Sequence, residues 1–168
     1  EFQASLEACL NDLAYQTTAV FCGAFVAAVS QFKSTFSLDA DMQFTTRPII
    51  ISAILRDAGG TNIASNVPDG CLDGILEKLQ AEVTFGTATA FVYDRDNAQF
   101  NATLTSDVAG AGEVRVLFDN QIFSTLNTST DFDIPSSIVE DVIDYTFVDA
   151  MAVPAVRRDE TDTARDGT

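Results

Sequence analysis

Three Asp-x-Asp pairs, Asp39/Asp41, Asp94/Asp96 and Asp131/Asp133, are the residues of this chain best suited to holding a cation. Two carboxylates two residues apart in a loop can share a hard ion such as calcium, which takes oxygen ligands. The segment DRDN at 94–97 falls between two strand-like runs and adds an amide oxygen. Asp94, Asp96 and Asn97 are therefore the candidate metal site, with calcium the candidate ion and a plain solvated turn the competing reading. A complete EF-hand loop is absent. Paired carboxylates also serve acid–base hydrolysis, but no carboxylate here lies inside an apolar run where burial would raise its pKa.

Other chemistries fall away. The chain has no histidine, which removes Ser-His-Asp triads, Cys-His dyads, His-ligated zinc and imidazole pH switches. Gly110 and Gly112 begin a GxG, but the third glycine of a dinucleotide loop is missing, and there is no phosphate-binding Gly-Lys-Ser/Thr. Cys22 sits among apolar residues, which leave a thiol inert. No catalytic residue and no cofactor is assigned.

The 25 Asp and Glu against 9 Lys and Arg give a formal net charge of -16. Such a chain repels phosphate backbones and anionic lipid surfaces, so nucleic acid is excluded as the expected partner. No run reaches the roughly 18 apolar residues of a membrane span. The hydrophobic fraction of 46% is nonetheless too high for a disordered chain. Cys9, Cys22 and Cys71 allow one disulfide. In a single helix Cys9 and Cys22 would lie about 20 Å apart along the axis, so a bridge should join Cys71 to one of them. Asn101-Ala-Thr103 and Asn127-Thr-Ser129 are glycosylation sequons, and both asparagines fall where strand alternation or a polar loop exposes them.

The elements that must position these residues follow from periodicity. Residues 5–33 place apolar side chains at steps of three and four and read as one long helix. Its second half, AVFCGAFVAAV, is apolar on all sides and needs cover on all sides. That makes Val20, Phe21, Ala24, Phe25, Ala28 and Phe32 the candidate interface. Residues 42–56 read as a strand interrupted at Pro48. Residues 71–82 read as a short helix capped by Asp69. VTFGTATAFVYD, AQFNATLT, EVRVLF and QIFSTL read as four strands, with Asp96-Asn97 and Asp119-Asn120 at tight turns. Residues 136–151 suit a C-terminal helix with Ile138, Val142, Tyr145 and Val148 inward; a strand at IDYTFVDAM is the alternative. Phe85, Phe91, Phe118 and Phe123 read as core aromatics, with an apolar ligand cavity as the competing role.

The expected fold is α+β: a long N-terminal helix packed on an antiparallel β-meander of four to five strands, with a short middle helix and a C-terminal helix. A single domain covers 1–154, and 155–168 is an acidic flexible tail. The layout has the general outline of cystatin-like or pilin-like folds, though no motif carries either family. The function it points to is a non-enzymatic, secreted or surface structural protein. It would self-associate, or bind a protein partner, through the apolar half of the first helix. A binding module for an apolar small molecule held between helix and sheet, and a carboxylate-based hydrolase, are the alternatives.

Overall fold

The computed structural model describes residues 22–130 and 132–149. Residues 5–21 of the expected helix, with Cys9, Val20 and Phe21, lie outside the described residues, as do Asp131 and the expected tail 155–168.

Strands dominate what is described. Residues 22–28 are helical (α1), and Leu72–Lys78 form a second short helix (α2). Twelve strands surround them: β1 Thr35–Leu38, β2 Met42–Phe44, β3 Ile49–Ile54, β4 Leu79–Val83, β5 Thr87–Ala88, β6 Val92–Asp94, β7 Gln99–Thr105, β8 Gly110–Phe118, β9 Gln121–Ile122, β10 Ser124–Asn127, β11 Ser137–Glu140 and β12 Ile143–Val148. One five-stranded sheet, sheet A, runs β1-β3-β7-β5, with β6 also on β7. Sheet B runs β2-β12-β8-β4, with β9 also on β8, and β10 and β11 form a separate ribbon. The pairing is antiparallel except between β2 and β12.

Alternation along the strands decides the packing. In β7, Phe100, Ala102 and Leu104 are buried while Gln99, Asn101 and Thr103 are half-buried on the other face. Ile49, Ile51 and Ala53 of β3 and Val114 and Val116 of β8 follow the same rule. One core draws on both sheets, with Phe100, Leu104, Val116, Phe123, Tyr145 and Phe147 among its members. The arrangement is a β-sandwich. Phe91, Phe118 and Phe123 are buried within the core, as the aromatic-core reading requires.

The expected architecture is right in its antiparallel strands and short middle helix, and wrong in its C-terminal helix and in where its first helix ends. The first helix does not continue to 33. It ends at 28, and Thr35–Leu38 pair with β3 instead. The middle helix stops at Lys78, because Leu79 turns extended and pairs with Phe118 across β8. Asp69 does not cap that helix; its carboxylate pairs with Arg95. The C-terminal helix is replaced by β11 and β12, whose β-branched and aromatic residues suit strands better than helix. Pro48 does mark a break, and a complete one: β2 and β3 belong to different sheets.

The run VTFGTATAFVYD is also divided between sheets. Gly86 has φ +82, and a Cβ there would lie 2.5 Å from the Thr105 carbonyl oxygen, so only glycine fits this crossing. Asp119 and Asn120 both take positive φ and close the β8–β9 hairpin as expected. At the other turn the positive φ falls on Ala98 instead of Asp96 or Asn97.

Candidate interaction surface

At the β6–β7 turn the Asp94 carboxylate accepts hydrogen bonds from the Asn97 backbone N–H, the Asn97 side-chain amide and the Asn101 amide. The Asn97 side-chain bond is the chief cause that lowers the Asp94 pKa below its ordinary value. Asn97 turns its N–H, not its oxygen, to the carboxylate, and Asp96 is exposed. The geometry is that of a turn closed by an aspartate. Among the described residues no group of three or more acidic, Cys or His side chains is arranged to hold a metal ion. Asp39 has a similar role: its Oδ1 accepts from the Ile50 N–H beside the crossing from β1 to β2.

The two sequons differ. Asn101 is half-buried; its amide donates to Asp94, and its oxygen accepts from Ser52 and Gln99. Asn127 is the exposed last residue of β10.

Cys22 is bridged to Cys71, with a Cα–Cα distance of 5.2 Å, so Cys71 is the bridged residue as its spacing required. The bond ties α1 to the turn that precedes α2. Of the expected interface residues, Ala24 and Ala28 are exposed, Phe25 is half-buried and Phe32 is 38% exposed. Val26 and Val29 pack against the core from the same segment. Between α1 and the sheet lies a hollow of about 90 Å³, lined by Val26, Val29, Gln31, Phe118, Asp119 and Gln121. Ligand pockets for drug-sized molecules occupy roughly 300–1,000 Å³.

The GxG motif turns out to be a packing device. A Cβ at Gly110 would lie 2.5 Å from the Phe85 ring, and one at Gly112 would lie 2.7 Å from both Phe85 Cβ and the Tyr145 hydroxyl. The Tyr145 hydroxyl donates to the Phe85 carbonyl and accepts from the Phe85 N–H at 3.2 Å. Burial pushes the Tyr145 pKa up, opposed by the bond to Phe85. Two bare glycines thus let β8 pass under the chain as it leaves sheet B.

The surface residues that sequence reasoning missed lie on the β10–β11 ribbon and in the loops beside it. Phe132 is fully exposed, Ile134 is 59% exposed, Ile138 60% and Val139 49%; Leu126 and Val142 are exposed as well. Leu126 stands opposite Ile138 across the ribbon, and all four residues of β11 are exposed. Read as a helix, Ile138 and Val142 would have faced inward. The signal against that was local: Pro135 followed by a β-branched run. The ribbon is anchored at its base. Ser124 N–H bonds to the Gln31 carbonyl, Asp141 N–H to the Phe123 carbonyl, and Glu140 lies 3.6 Å from Arg115 on β8. Beside it, on the outer face of sheet B, Glu113 and Asp144 stand directly opposite each other, both exposed. Like charges so placed are destabilising.

No family model matches the chain, and no curated protein matches it. Among solved structures it is similar to the Escherichia coli adhesin FdeC, at 20% identity and a TM-score of 0.48 over 73% of this chain and 32% of that one. Invasin, a bacterial integrin-binding protein, matches at 20% identity and a TM-score of 0.45, over 67% of this chain and 19% of its own. The Lin-41 filamin domain matches at 14% identity and a TM-score of 0.42, over 67% of this chain and 95% of that domain. The chain thus spans under a third of FdeC and under a fifth of invasin. With TM-scores below 0.5, none of the three bears on what it does.

Proposed function

We propose that this chain is a non-enzymatic β-sandwich domain of a secreted or cell-surface protein, and that it works by binding a protein partner or copies of itself. The observation that carries this reading is the concentration of large exposed apolar side chains on the β10–β11 ribbon. A two-stranded ribbon exposed on both faces is marginal in water on its own. Large apolar side chains exposed together in one region mark interaction sites. The Cys22–Cys71 bridge supports an oxidising compartment. The apolar side of α1 at Phe25, with Phe32 in the turn that follows, is a second contact on the same reading.

Two observations weigh against the alternatives. The hollow between α1 and the sheet is too small for an apolar ligand of ordinary size. The facing pair Glu113 and Asp144 lines a broad hollow of about 420 Å³ that is open on the outer face of sheet B, where water competes for any substrate. No helix among the described residues is long and apolar enough to cross a membrane.

Light scattering across a concentration series, and binding to candidate surface partners, test the proposal with the double variant Phe132→Ser/Ile138→Ser. Both side chains are exposed, so the fold should survive. Loss of association with an unchanged circular dichroism spectrum is expected. Undiminished association would remove the ribbon from the account.

A further inference from the structure

From the charge around the ribbon and its open edge we infer the chemistry of the partner: an extended, lysine- or arginine-bearing segment that adds as a strand along β11. The inference rests on the binding role proposed above. β10 lies between β11 on one side and, at Ser124, the Gln31 carbonyl on the other. Among the described residues no strand pairs with the outer edge of β11. Its residues Ser137, Ile138, Val139 and Glu140 include no lysine and no proline, the usual guards of an edge. An edge left in this state is a template for strand addition, in which backbone bonds supply affinity and alternate side chains supply specificity.

The charge narrows the occupant. Between Arg115 and Arg157 the sequence contains no lysine or arginine, while Asp133, Glu140, Asp141 and Asp144 all fall in or beside the ribbon. Among the described residues, Arg115 lies within 3.6 Å of Glu140. A second copy would bring the same acidic ribbon and the same net charge of -16, so ribbon-to-ribbon pairing is opposed electrostatically. A strand of alternating apolar and cationic residues sets its apolar side chains beside Val139 on one face of the ribbon and its cations beside Ile138 and Glu140 on the other, where the lysine stems cover Ile138. Rim charges of this sort act mostly on encounter rate and salt dependence.

The test uses three ten-residue synthetic peptides, alternating Lys-Val, Ser-Val and Glu-Val, each fluorescently labelled and titrated with the full chain at low and high salt. The expected result is binding of Lys-Val, roughly tenfold weaker or absent for Ser-Val and Glu-Val, and weakened by salt. Glu140→Lys should weaken Lys-Val binding and reduce its salt dependence. Ile138→Ser, a neutral change at an exposed site, should weaken binding of every peptide that binds. Equal binding of Ser-Val and Lys-Val overturns the cationic partner and leaves the proposed function standing. Failure of all three peptides, with concentration-dependent self-association that Phe132→Ser/Ile138→Ser abolishes, makes a second copy the occupant and overturns the inference alone. If the ribbon variants change neither peptide binding nor self-association, the inference and the proposed function fall together.

Discussion

Removing the Cys22–Cys71 bridge should be the most damaging change that leaves every strand residue in place. The two cysteines are 49 residues apart, and the loop they close contains all of β1, β2 and β3. In the chain-entropy treatment, closing a loop of that length costs the unfolded state about 14 cal/mol/K, or about 4 kcal/mol at 25 °C. The folded side adds a smaller loss, because Cys71 is 3% exposed and its replacement leaves sulfur-sized space. For a domain of this size about 4 kcal/mol corresponds to a Tm lower by roughly 8–16 °C. The comparison sets a Cys9→Ser chain, which cannot reshuffle, against the same chain carrying Cys22→Ala and Cys71→Ala. Urea denaturation followed by circular dichroism gives both stabilities. The m value should rise with the bridge removed, since the unlinked unfolded chain exposes more surface. A loss below about 1 kcal/mol with an unchanged m value would refute the reasoning. It would show that the bridge does not constrain the unfolded chain, or that α1 is not strapped to residue 71.

Further outcomes follow from single contacts. Tyr145→Phe leaves the Phe85 N–H and carbonyl without their partner and should cost about 1–3 kcal/mol in denaturant titration. Because the folded state favours the neutral phenol, wild-type stability should fall as pH rises above about 10, where the unfolded tyrosine ionises first. Tyr145→Phe should flatten that alkaline limb. Gly112→Ala places a Cβ 2.7 Å from Phe85 Cβ and the Tyr145 hydroxyl, and overpacking of this kind costs about 1–3 kcal/mol by thermal melting. NMR titration should find Asp94 ionising below 3.8, so its hold on the β6–β7 turn is present above that value and lost as pH falls through the lower folded one. In a glycosylating host, mass spectrometry of tryptic peptides should find Asn127 modified and Asn101 bare, because the Asn101 amide is engaged with Asp94 in a half-buried network.

Local chemistry written in the sequence determined a good deal. Strict alternation in AQFNATLT was enough to bury Phe100, Ala102 and Leu104, since a strand has no other way to sort its side chains. Asp119-Asn120 closes a hairpin because those two residue types tolerate positive φ, and Pro48 breaks a strand because it has no N–H to donate. The missing histidine excluded whole classes of chemistry without any structure. Given one helix through Cys9 and Cys22, axial distance made Cys71 the residue any bridge would use, although it did not name the partner.

Tertiary structure decided the rest, and in each case the reason was non-local. Leu79 leaves its helix because Phe118, far along the chain, offers a strand partner. Residues 143–148 satisfy a helical spacing as well as a strand one, and it is pairing with β8 on one side and β2 on the other that selects the strand. Gly110 and Gly112 looked like a broken nucleotide loop; only the arrival of Phe85 and Tyr145 shows why side chains are excluded there. The same holds for the surface. Ile138 is an apolar residue that the helical spacing would bury, and it stands exposed with Val139 beside it. Their exposure follows from the ribbon standing clear of both sheets, an arrangement set by where β10 and β12 are anchored rather than by anything in β11 itself.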